Sequence, residues 1–255
     1  MNEKSALTTY KPSLKNLFKR WLRDTYDHLG LTVVVSFIMA AIVAGLAYGT
    51  QIGGNFPPVV LLPLLFAFLL LVIGPFCVGI FTLAHNIVYR QQPGIGDLLD
   101  GYRKSLWTAI KWSALNLAIG AILIGDTVLF IGLTRQSRSW FGPAIVTAYL
   151  LIFWGMTLIY QLPILIYQRP SALNVLKKSA LLVLDNLGFT AVVFFAIIAF
   201  TILCAAPKFV GLPLVYFGAV AILCTRATRE LLVRYALALE EREPDPVGDE
   251  WRLRG

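Results

Sequence analysis

From Phe56 the chain runs to Arg90 without an Asp, Glu, Lys or Arg, and the segment from about Val59 to Leu83 is almost wholly apolar. A bilayer core takes roughly 20 apolar residues as a helix, and in hydrocarbon every backbone N–H and C=O must be bonded within the protein. The stretch is therefore read as a transmembrane helix. Composition agrees: 58% of residues are hydrophobic and 14% charged, with mean hydropathy +0.73, against about 25% charged in a typical soluble domain. A single membrane domain of 255 residues accounts for these figures.

Six such runs occur. The first is expected at about Leu29 to Thr50, separated by the uncharged link Gln51 to Asn55 from the second, and the third and fourth at about Lys111 to Leu133 and Gly142 to Tyr167. The fifth runs from about Leu187 to Ala206. The sixth starts near Leu212, is apolar to Cys224, and is expected to continue as a helix through Arg226, Arg229 and Arg234 to about Glu241. Its Glu230 and Arg234 have the i,i+4 spacing that supports a helix. The first run begins well inside the chain and no A-x-A follows it, so it reads as an anchor rather than a cleaved signal.

Ahead of each odd-numbered run lies an amphipathic segment. Residues 11–28 put Leu14, Leu17, Phe18, Trp21 and Leu22 on one face and Lys15, Lys19, Arg20 and Arg23 on the other; residues 91–107 align Ile95, Leu98, Leu99, Tyr102 and Leu106; residues 168–186 align Leu173, Leu176, Ala180 and Leu184 opposite Lys177 and Lys178. Such helices lie flat in the headgroup layer. D-H-L-G-L-T-V-V-V-S-F after the first segment parallels D-N-L-G-F-T-A-V-V-F-F after the third, and Pro12, Pro93 and Pro170 start the three segments at spacings near 80 residues. The middle segment keeps the proline and the amphipathic pattern but lacks the Asp-x-Leu-Gly.

The expected fold is thus an all-α integral membrane protein with six transmembrane helices, built as three parallel repeats of an interfacial helix plus a helical hairpin, about 12–90, 93–168 and 170–241. Residues 1–28 form an N-terminal tail carrying the first amphipathic helix, 29–241 the membrane domain, and 242–255 a flexible, Pro- and charge-rich tail. Of the 22 Lys and Arg, 19 fall on the side of the amphipathic segments and both termini, and 3, Arg135, Arg138 and Lys208, on the other. The positive-inside rule then places both termini in the cytoplasm and the protein in the plasma (inner) membrane as a multi-pass chain.

The net charge of +8 lies beside the spans rather than in one basic block, which points to anionic lipid headgroups, through Lys15, Lys19, Arg20, Arg103, Lys104, Lys177 and Lys178, and not to nucleic acid. No H-E-x-x-H, G-x-S-x-G or Walker-type loop occurs; there are two histidines, His28 and His85, and the three cysteines stand singly in apolar runs. No enzyme, metal or cofactor site is expected. Asp126 and Gln161 are the candidate polar groups within the spans, with Arg135 or Arg138 as partners for Asp126. Gly74, Pro75 and Pro163 are candidate hinges, because proline removes a backbone donor, and Gln161 is placed to satisfy a carbonyl in a neighbouring helix.

The stretch VIGPFCVGIFTLAHNIVYRQQPGIGDLLDGYRKSLW, with its Gly74-Pro75 followed by an amphipathic connection, resembles the YesL-like family of small bacterial membrane proteins, as does LPILIYQRPSALNVLKKSALLVLDNLG. That resemblance implies a polytopic protein without catalytic residues, an accessory to carbohydrate uptake. The function expected is a non-catalytic membrane protein working through a membrane-protein partner or as a homo-oligomer, in a transport or assembly role. The alternative is a small permease or channel using the breaks at Pro75 and Pro163 with Gln161 and Asp126.

Overall fold

The computed structural model describes residues 13–53, 57–89, 93–135, 137–168, 170–205 and 212–234. All secondary structure among them is helical: α1 (Leu14–Asp27), α2 (Leu29–Gly53), α3 (Pro58–Phe68), α4 (Gly74–Val88), α5 (Ile95–Lys104), α6 (Leu106–Thr134), α7 (Phe141–Gln168), α8 (Ala172–Asp185), α9 (Leu187–Ala205) and α10 (Phe217–Arg234). A π-helical turn, Leu69–Ile73, joins α3 to α4, and another, Leu212–Tyr216, leads into α10. Residues 206–211, between the expected fifth and sixth runs, the helix expected beyond Arg234, and both chain ends lie outside the described residues.

Among the described residues five segments are long and apolar enough to cross a membrane: Leu29–Gln51, Pro63–Val88, Leu106–Thr134, Arg138–Gln168 and Leu187–Ala205. The expected sixth, α10, is not among them, because its 18 residues include Arg226, Arg229, Glu230 and Arg234. Nor does it protrude as an exposed extension. Residues Ala221 to Thr228 are buried without a break, enclosed by α1, α2, α4 and α7. The protein itself, rather than solvent, surrounds Arg226 and Glu230.

The three helices α4, α7 and α10 pack on one another and form the centre, while α2, α6 and α9 lie outside them. Burial follows: half of the apolar window of Arg138–Gln168 and 33% of that of Pro63–Val88 is inside the protein, against 22%, 11% and 17% for Leu29–Gln51, Leu106–Thr134 and Leu187–Ala205. The outer helices present Phe37, Ile122, Val128, Phe195 and Ile202 outward. A helix apolar all round belongs in lipid or in a core, and these have lipid-type surfaces.

Each amphipathic segment forms a short helix that breaks before the next long one, at His28, Ser105 and Asn186. The new helix restarts with the same backbone bond four residues on: Thr32 N–H donates to the His28 carbonyl at 3.0 Å, Ala109 N–H to Ser105 at 2.8 Å, and Thr190 N–H to Asn186 at 3.0 Å. Thr32, Ala109 and Thr190 are all buried. So are Leu17, Leu98 and Val175, each five residues after the proline that opens its segment. The middle short helix has 10 residues where the other two have 14, a difference of about one turn.

The apolar stripes of the short helices divide between two environments. In α8, Val175, Ser179, Leu182 and Val183 face the protein, while Leu173 and Leu184 of the expected stripe are exposed. In α5, Leu98 is buried and Ile95 and Leu99 face outward. One edge of each stripe is available to acyl chains.

Candidate functional site

Between α6 and α7 five side chains close a circuit of hydrogen bonds. Trp112 Nε1–H donates to Gln161 Oε1 at 2.8 Å; Gln161 Nε2 donates to Thr157 Oγ1 at 3.0 Å, and that hydroxyl to the Trp154 carbonyl at 2.7 Å. Trp154 Nε1–H donates to Asn116 Oδ1 at 3.3 Å, and Asn116 Nδ2 back to the Trp112 carbonyl at 3.0 Å. Gln161 is wholly buried. It bonds one side chain on the neighbouring helix and one on its own, rather than the backbone carbonyl expected. A buried amide without partners would cost about 1–3 kcal/mol, and here the amide oxygen and nitrogen are both bonded.

At Gly74-Pro75 the chain takes a wider turn. The Gly74 N–H reaches back to the Leu69 carbonyl, and Pro75 has no N–H to give, so the Leu71 carbonyl loses its ordinary donor four residues on. Tyr102 of α5 supplies one instead, its hydroxyl donating to Leu71 at 3.4 Å. Gly74 also sits against Ser113 of α6, where an added Cβ would fall 1.9 Å from Oγ. By contrast, α7 continues unbroken through Pro163.

The third cluster joins the first helix to the last. Asp24 Oδ2 accepts from Arg226 Nε at 2.5 Å, both side chains being at least nine-tenths buried. Arg20 meets Glu230 at 3.5 Å at the edge of the same contact, and Trp21 Nε1–H donates to the Ala219 carbonyl at 2.8 Å. Next to them Arg229 donates to the Val88 carbonyl at 2.8 Å and lies over the Tyr89 ring, 4.7 Å from its centre. His85, Tyr89 and Tyr167 stack around that point, with His85 4.3 Å from Tyr89 and Tyr89 6.2 Å from Tyr167. Three inner helices thus contribute one aromatic and cationic cluster.

The remaining expected residues are scattered. Asp126 is half-buried on α6, and no ion pair or hydrogen bond among the described residues joins it to Arg135 or Arg138. Lys15, Lys19, Arg103 and Lys177 are exposed; Arg20 is turned to Glu230 and Lys178 to Gln168. The Lys104 side chain lies outside the described part. Among the described residues no three His, Cys, Asp or Glu are grouped to hold a metal. Sequence reading missed Asp24, although it continues the Leu17 and Trp21 face of α1 at helical spacing. An acid on an apolar stripe was the available signal. Comparison with protein families, curated proteins and solved structures found no match to this chain.

Proposed function

We propose that this is a non-catalytic membrane protein that acts through a partner, as an accessory or assembly component of a transport system. The observation that supports it is the circuit Trp112–Gln161–Thr157–Trp154–Asn116, in which polar groups lying among apolar helices bond one another. A permeation path needs polar groups offered to the solute. The likeness to the YesL-like family belongs to the same reading. Copurification in mild detergent tests it: a stoichiometric membrane partner is expected, whereas saturable flux by the isolated protein in liposomes overturns it in favour of the permease.

The same reading gives the chain six crossings, with α10 as the sixth, and three parallel units related by a pseudo-threefold axis. Three sets of matched positions support it: Leu17, Leu98 and Val175; Thr32, Ala109 and Thr190; and the breaks at His28, Ser105 and Asn186. The contacts also run in a cycle. Gly74 seats on Ser113, Gly155 on Phe194 and Gly218 on Thr32, so the returning helix of each unit meets the outward helix of the next, and the third meets the first. A middle unit shortened by one helical turn accounts for its missing Asp-x-Leu-Gly. Both termini lie in the cytoplasm of a plasma-membrane protein on this reading, and a cysteine probe at Ser139 should label from outside intact cells while probes at Ser5 and Asp249 should not. The reverse pattern would invert the orientation.

A further inference from the structure

Gly74, Gly155 and Gly218 each seat a central helix on an outer one, and the joints differ in the residue that the glycine meets. Ser36, Ser113 and Phe194 stand four residues past Thr32, Ala109 and Thr190, at corresponding places on α2, α6 and α9. Phe194 faces Gly155 of α7, which is α-helical throughout Phe141–Gln168. At the two serine joints a π-helical turn comes just before the glycine, Leu69–Ile73 before Gly74 and Leu212–Tyr216 before Gly218. A π-turn moves backbone N–H groups off their ordinary carbonyls, and in hydrocarbon a freed group needs a partner from within the protein. At Gly218 the serine is that partner, its Oγ accepting from the Gly218 N–H at 3.0 Å. At Gly74 it is not. The Gly74 N–H reaches back to the Leu69 carbonyl instead. Ser113 Oγ lies against the Gly74 backbone, 1.9 Å from where a Cβ would stand, and is buried with no hydrogen-bond partner among the described residues.

We propose that the Gly74 joint is a two-position switch, in which the Gly74 N–H passes between the Leu69 carbonyl and the Ser113 hydroxyl. The second position is the one that the Gly218 joint holds. Either position gives the Gly74 N–H one acceptor and leaves one polar group over, the Ser113 hydroxyl in the first and the Leu69 carbonyl in the second, so the two are close in free energy. Pro75 adds slack, because it brings no N–H to the carbonyls ahead of it, and one of these, Leu71, is met by the Tyr102 hydroxyl at 3.4 Å. The surroundings hold one serine joint and free the other: α2 packs along Leu212–Tyr216, whereas ahead of Gly74 the side chains of Leu64, Phe66 and Leu71 are exposed. The moving part is α3 with the turn after it, while α4 stays in the core through Phe76, Val78 and Ile80. A partner or a solute that favours one position would shift the population toward it. The inference uses the correspondence of the three units only to compare the joints.

The test uses the full chain in lipid nanodiscs with isotope-labelled glycine amides, read by relaxation dispersion, which reports microsecond-to-millisecond exchange. Exchange between two states is expected at the Gly74 amide and not at Gly155 or Gly218. Ser113→Ala removes the second acceptor and should abolish that exchange while leaving the thermal midpoint unchanged. Ser36→Ala should lower the midpoint instead, because the Gly218 N–H loses its acceptor, and should leave the Gly74 exchange in place. The proposal is overturned if the wild-type Gly74 amide reports a single state, or if its exchange survives in a folded Ser113→Ala. It is overturned as well if Ser113→Ala destabilises as much as Ser36→Ala, the mark of a fixed bond, or if all three glycines exchange alike, the mark of motion in the whole bundle. These outcomes are independent of the probe labelling at Ser139 and of the copurification result, so failure of the switch and failure of the functional reading are told apart.

Discussion

The contact of α10 with α1 and the contact of α4 with α5 occupy corresponding places, each a central helix against a short amphipathic one, yet they are built from opposite materials. Between α10 and α1 are a buried ion pair, a tryptophan bonded to a backbone carbonyl, and Leu17 without exposure. Between α4 and α5 the backbones close on glycines: a Cβ on Gly79 would fall 2.7 Å from the Leu98 carbonyl oxygen, and one on Gly101 2.5 Å from Thr82 Oγ1. A cavity remains beside them. The difference follows from chain connection. Six residues link α4 to α5, so the covalent chain keeps them together, whereas α1 and α10 are joined only through the rest of the molecule. Bringing distant segments together costs loop-closure entropy that grows with the intervening length, and side-chain contacts must offset it.

The largest effect should come from breaking the α1–α10 pair on one side. Asp24→Ala leaves Arg226 buried without its partner, and an uncompensated buried charge costs about 3–5 kcal/mol; the thermal midpoint in detergent should fall by many degrees. The double change Asp24→Leu with Arg226→Met removes both charges and should restore most of that loss, since replacing a buried pair by apolar groups is often neutral. A double variant as unstable as the single one would show that the ion pair itself, not the avoided lone charge, holds the contact.

Next in size is Gly218→Ala, which would place a methyl 2.7 Å from Thr32 Cγ2 and 3.0 Å from its Cα. Backbone cannot step aside, and overpacking of this kind costs about 1–3 kcal/mol. Gly155→Ala, whose nearest contact would be Phe194 at 3.4 Å, should change the midpoint by much less, and an equal loss at both sites would refute the geometric ranking. Gln161→Leu belongs in the same range, because it leaves the Trp112 indole N–H without an acceptor at about 1–3 kcal/mol; tryptophan fluorescence should shift with it.

On the α4–α5 side the expectation is small. Asn86→Leu introduces apolar volume beside an existing cavity and should move the midpoint little, in contrast to Asp24→Ala; a large loss there would end the distinction between the two contacts. Smallest of all for stability is Lys177→Gln with Lys178→Gln, both exposed, where exposed charges contribute less than about 1 kcal/mol. Retention of anionic lipid is the readout instead, and it should fall, more so at low salt where screening is weak.

Sequence alone marked the five helices long and apolar enough to cross a membrane, with ends within about one or two turns, because hydrocarbon imposes length and polarity limits that any stretch either meets or fails. It also marked the three short helices through their periodicity. What lay beyond it was every decision that depends on a neighbour. Arg226 reads as the end of an apolar run, and only the approach of Asp24, two hundred residues earlier in the chain, makes it an interior residue. Gln161 reads as a polar group in need of a carbonyl, until α6 brings Trp112 to it. The stripe on α8 is visible as a stripe, but which edge meets protein and which meets lipid is set by α7 lying beside it. Hydrophobicity is a local property written residue by residue, whereas partner choice for a buried charge, an amide or a glycine is a property of two segments at once, and only the tertiary structure brings the second segment into place.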